Sequence, residues 1–84
     1  MSIIPAKKDW FVCMADGEEL AYYPVIAWLI DGGEPNPILA WGLRLSQPYA
    51  IYDPAGTAYV RGKPFRGLSE YDILEMLKAA RAAA

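Results

Sequence analysis

The sequence predicts an α+β domain: a twisted antiparallel sheet of four or five strands, mostly a meander, with one C-terminal helix packed on it. Three observations carry that prediction. Short runs rich in aromatic and β-branched residues alternate with Gly/Pro/Asp turn signals through residue 61. The last sixteen positions switch to a helical apolar period with a capping signature at their start. The chain has only 84 residues, enough for a single domain spanning 1–84.

Residues 1–7 read as a flexible tail, interrupted by Pro5 and ending in solvated lysine. "DWFVCMAD", 9–16, reads as the first strand, and Asp16-Gly17 as the turn after it. The stretch 20–30, LAYYPVIAWLI, is open to two readings. A short helix would begin at Pro24 and end at Gly32-Gly33. A bent strand suits Tyr, Val, Ile and Trp better, with Pro24 at a bulge or on an edge, and we favour it. In regular alternation Leu20, Tyr22, Ile26, Trp28 and Ile30 would share one face, and Ala21, Tyr23, Val25, Ala27 and Leu29 the other.

"DGGEPNP", 31–37, reads as a loop, and 38–45 as the third strand with Trp41, Leu43 and Leu45 on one face. Residues 49–53 and 57–61 form a hairpin in which Asp53 opens the turn, Pro54 presets φ and Gly56 takes the left-handed position. Residues 62–67 read as a loop. The helix spans 69–83: Ser69 caps it, Asp72 completes a capping box, and Leu68 and Ile73 occupy the staple positions. Ile73, Leu74, Leu77 and Ala80 form its sheet-facing stripe, and acids precede bases along it, as the helix macrodipole favours. The strand number and the bend are compatible with an SH3-like or other small-barrel curl.

A chain this short buries only roughly 60–65% of its unfolded surface, so it gains from a staple or a partner. One cysteine allows no internal disulfide, and the absence of histidine leaves no set of zinc ligands. No metal and no cofactor is expected. Net charge −2 makes nucleic acid an unfavoured partner and an anionic membrane another. The longest apolar run is too short to span a bilayer, which needs about 20 residues. With no leader pattern at the start, a cytoplasmic location is expected.

Catalytic constellations are sparse. No serine has a histidine base available, and Cys13 lies mid-strand without a neighbouring cation, so it reads as a packing residue. Asp16, Glu18 and Glu19 sit on a tight turn rather than across a cleft. The expectation is a non-enzyme.

Eleven aromatic residues exceed what one short helix can cover. Tyr22, Tyr23, Trp28, Tyr52 and Tyr59 are therefore the expected protein-binding surface of a non-catalytic interaction domain, with a homodimer as its simplest form. The alternative is an anion- or single-strand-binding loop formed by Arg61, Lys63, Phe65 and Arg66. These bases, with Arg44, oppose an acidic stretch from 16 to 34, and an up-and-down order puts turn 16–19 and loop 61–66 at the same end of the sheet. A third reading, by size alone, is a phage- or mobile-element-borne inhibitor of a host protein.

Overall fold

The computed structural model describes residues 2–33, 35–40 and 48–82. The described chain runs β1 (Ser2–Pro5), β2 (Phe11–Asp16), β3 (Glu19–Ile30), β4 (Asn36–Leu39), β5 (Ala50–Tyr52), β6 (Ala58–Val60), β7 (Lys63–Phe65) and α1 (Glu70–Ala82). The fold is α+β, a twisted antiparallel sheet with one C-terminal helix. Seven strands are described, against the four or five expected, in the order β1-β3-β2-β5-β6-β7 with β4 also on β3. Two sequence-adjacent units, β2–β3 and β5–β6–β7, are joined by the pairing of β2 with β5.

The stretch 20–30 is a strand, and its length explains its composition. Its first half pairs with β2 from Asp16↔Glu19 to Phe11↔Pro24. Its second half lies between β1 (Ser2↔Ile30 to Pro5↔Ala27) and β4 (Val25↔Leu39 to Leu29↔Asn36). Residues 2–5 are therefore a paired strand and not a free tail. The partner that orders them lies some 25 positions away in sequence, beyond any local signal.

The register against β4 shifts between Val25 and Ala27, a β-bulge at Ile26. A bulge inserts one residue and resets the alternation of faces. Tyr23 and Val25 consequently share a cluster with Trp28, and the single-face grouping of Tyr22 with Trp28 does not hold. Pro24, which lacks a ladder donor, stands beside this irregularity.

The middle of β2, Val12 to Ala15, is apolar on both faces because a hydrophobic cluster lies against each. Cys13, with Ala15 flanking, joins Ala50, Ala58, Val60, Ile73 and Leu77 under the helix. Val12, with Met14 flanking, joins Val25, Leu39 and Tyr49 on the opposite side, where Trp10, Tyr23 and Trp28 close the cluster. Trp10 meets Trp28 edge-on at 5.3 Å and 89°, the arrangement that ring quadrupoles favour.

Turn chemistry fixes the connections. Gly17 (φ 65°) opens the two-residue loop between β2 and β3. Asp53 organises the β5–β6 turn as expected: its Oδ1 accepts from Ala55 N–H (3.0 Å) and Thr57 N–H (2.9 Å), with Gly56 at φ 90°. Residues 62–67, expected as a loop, contain β7. Arg61 (φ 51°) and Gly62 (φ 80°) form a two-residue turn with both φ positive, and Val60 pairs with Lys63 across it. Residues 41–47, the greater part of the expected third strand, and Arg44 with them, lie outside the described residues.

The helix is capped reciprocally. Asp72 N–H donates to Ser69 Oγ (3.2 Å), and Ser69 N–H donates to Asp72 Oδ2 (3.1 Å). Ile73, Leu74 and Leu77 are buried, whereas Leu68 remains 40% exposed.

Candidate functional site

Helix placement decides what the sheet leaves open. Glu70, at the start of α1, stands at the level of Tyr22. Lys78 reaches the β2–β3 turn and donates to Glu18 at 3.1 Å. The eight positions between them rise about 12 Å, close to the four-residue length of strand they follow. The helix therefore runs towards the hairpin turn and stops short at its other end, and its own side of the sheet is left uncovered beyond Cys13.

Three strands bring rings to that uncovered end. Phe11 pairs with Tyr52 and precedes Cys13 by two, so both rings face the helix side. Tyr22 pairs with Cys13 and shares the same face. With Leu68 and Glu70 they line an open groove of about 500 Å³. The Tyr22 and Tyr52 rings lie 5.9 Å apart, tilted by 50°. Leu68 and Tyr22 are each 40% exposed, so the groove presents apolar surface to water.

The groove floor is electrostatically quiet apart from one carboxylate. Burial pushes the Cys13 thiol up to about 12, helped by the Glu70 charge and opposed by a hydrogen bond with Tyr22. Desolvation likewise raises the Tyr22 hydroxyl above the usual phenol range, and its neighbours Cys13 and Glu70 act in the same direction. Tyr52 is raised too, first by burial and then by Cys13 and Glu70. All three groups are thus neutral at physiological pH. A fully buried thiol held neutral is a poor nucleophile.

The five expected surface aromatics divide. Tyr22 and Tyr52 line the groove. Tyr23 and Trp28 pack into the second cluster, on the other face. Tyr59 lies on the strand opposite Ile51, with its hydroxyl donating to Asp53 Oδ2 at 3.3 Å. Reading from sequence did not single out Phe11 and Leu68. Phe11 stands next to Trp10 with no sign of which ring is left uncovered, and the position of Leu68 before the helix marks it as a staple residue.

The basic stretch is spread out rather than gathered. Arg61 sits on the β6–β7 turn, which strand order places at the same end as turn 16–19. Arg66 follows the far end of β7, and between them Phe65 packs against the helix-side core. Among the described residues no group of three or more His, Cys, Asp or Glu could hold a metal ion. No helix among them is long and apolar enough to cross a membrane. Comparison with protein-family models, with curated proteins and with solved structures gives no match.

Two other features compete for notice. A smaller cavity of about 230 Å³ lies near the hairpin end, with Asp16, Tyr23 and Arg81 among its lining. On β1, Ile3 and Ile4 are 66% and 51% exposed, but they alternate: Ile4 pairs with Trp28 and Ile3 with Leu29, so they point to opposite faces.

Proposed function

We propose that this protein is a small non-catalytic interaction domain that docks a protein partner, most simply a second copy of itself, in the groove of Phe11, Tyr22, Tyr52 and Leu68. The observation that carries this reading is the short reach of α1, which leaves neighbouring rings on one face open to water. Aromatic side chains offer much contact area for few rotatable bonds, which is why they dominate interface hot spots. The small size of the domain adds weight, because association supplies apolar burial that a short chain cannot supply alone.

Gel filtration with light scattering tests the reading. The expected result is a mass that rises from monomer towards dimer across the micromolar range, with Tyr22→Ala and Tyr52→Ala each shifting the equilibrium to monomer. A mass that stays monomeric throughout removes self-association. A dimer indifferent to both substitutions removes the groove as its interface.

A further inference from the structure

The ladder between β2 and β5 stops at Cys13 for a covalent reason. Trp10 C=O accepts from Val25 N–H, so Trp10 turns its backbone groups towards β3, and Asp16, paired with Glu19 across the hairpin turn, does the same. Backbone direction alternates along an antiparallel strand, so Phe11, Cys13 and Ala15 turn theirs towards β5. Phe11 meets Tyr52 there, and Cys13 meets Ala50. Continued by two residues, this register sets Pro48 opposite Ala15, and Pro48 has no N–H to donate and lies outside β5. Among the described residues, Ala15 N–H and C=O have no ladder partner on this edge.

That edge borders the cavity of about 230 Å³ near the hairpin end, which both Ala15 and Pro48 line. Met14, Ala21 and Leu77 give the cavity apolar walls, and Asp16 and Arg81 give it one carboxylate and one guanidinium. Among the described residues neither charge is in an ion pair or a side-chain hydrogen bond, in contrast to Lys78 and Glu18 nearby. Backbone donor, backbone acceptor, anion and cation thus surround an apolar space. Sites for drug-sized ligands run to roughly 300–1,000 Å³, so this smaller space suits one small molecule.

We infer that this cavity binds a free α-amino acid with an apolar side chain, docked on Ala15 in place of the missing strand residue. An α-amino acid carries its nitrogen and carboxyl oxygen at the spacing of any strand residue, so it exchanges both bonds with Ala15 as an antiparallel neighbour does. In that direction its ammonium group donates to Ala15 C=O, on the side of Asp16. Its carboxylate accepts from Ala15 N–H and takes the guanidinium of Arg81, whose planar fork matches a carboxylate. Its side chain packs on Met14, Ala21 and Leu77. The cavity shares no lining residue with the aromatic groove, so the inference stands apart from the docking role proposed there.

Titration of the full chain with L-leucine, followed by NMR at backbone amides, tests it. The expected result is saturable shifts at Ala15, Asp16 and Leu77 with a Kd of about 0.1–1 mM. N-acetyl-L-leucine lacks the ammonium charge and L-leucinamide lacks the carboxylate, and each is expected to bind at least about tenfold more weakly. Asp16→Asn is expected to erase the preference for L-leucine over its N-acetyl form, and Arg81→Gln the preference over its amide. Both residues are exposed, so the fold is retained in these variants, with circular dichroism verifying it. No shift at these amides up to about 10 mM L-leucine overturns the inference. Equal binding of all three compounds overturns it too, as does a preference that both substitutions leave unchanged. A leucine-terminated peptide that binds more tightly than L-leucine overturns it in favour of a chain end as the ligand. None of these outcomes bears on Tyr22 and Tyr52, whose effect on the dimer tests the groove separately.

Discussion

Leu77→Ala probes the contact between helix and sheet on which the whole arrangement depends. Leu77 is fully buried, and the cluster around it includes Cys13, Ala50 and Ala58, whose short side chains cannot swing into a void. The site therefore relaxes poorly, and the loss lies in the middle or upper part of the range for buried leucine, about 3–4 kcal/mol. A domain of this length is stable by roughly 4–13 kcal/mol, so this is a large share of the total. The expected fall in melting temperature is about 12–30 °C, at about 4–8 °C per kcal/mol for a domain of this size. Urea unfolding followed by tryptophan fluorescence measures it, with Tyr71→Ala as the control. Tyr71 is on the same helix but 67% exposed, and its removal costs less than about 0.5 kcal/mol. A Leu77→Ala loss below about 1.5 kcal/mol, or one no larger than the control, refutes the docking of α1 described here.

Three other outcomes are expected. Ser69→Ala removes one half of the capping box and lowers stability by about 1 kcal/mol in urea, and Asp72→Ala adds little to it because the two side chains act as a unit. Arg61→Asn relieves a left-handed backbone at a non-glycine residue and raises stability by about 0.5–1 kcal/mol in the same assay; a destabilised variant contradicts the turn geometry. The Cys13 thiol is raised from 9.0 to about 12, so the unfolded chain gives up its proton first as the solution becomes alkaline. The stabilisation is complete below pH 9 and is lost progressively towards pH 12, with Tyr22 and Tyr52 adding to the loss above the ordinary phenol range. Cys13→Ala flattens this alkaline limb, and an unchanged limb contradicts the buried neutral thiol.

Local chemistry was the legible part of the sequence. The Ser69–Asp72 box, the Asp53 turn and the apolar stripe of α1 each depend on residues within a few positions of one another, and each stands where the residues indicate. The long strand β3 was legible from β-branched and aromatic content, but the faces of its second half were not. A bulge at Ile26 reverses the alternation, and only the pairing with β4 reveals it. β1 escaped because four residues with a terminal proline carry little strand signal until a partner is known. β7 escaped because its turn is Arg-Gly, where the recognisable signal is Asn-Gly or Asp-Gly. The aromatic excess points to rings that one short helix leaves uncovered, but counting does not choose among them. The level at which α1 starts leaves Tyr22 and Tyr52 open, while the parity change at Ile26 carries Trp28 to the other face with Tyr23.

The most direct test of the groove as docking surface is an NMR dilution series on the wild-type chain, followed at backbone amides and aromatic rings. The account predicts concentration-dependent shifts concentrated at Phe11, Tyr22, Tyr52, Leu68 and Glu70. Shifts confined to other surfaces, such as β7, or a spectrum that does not change with concentration, would contradict it.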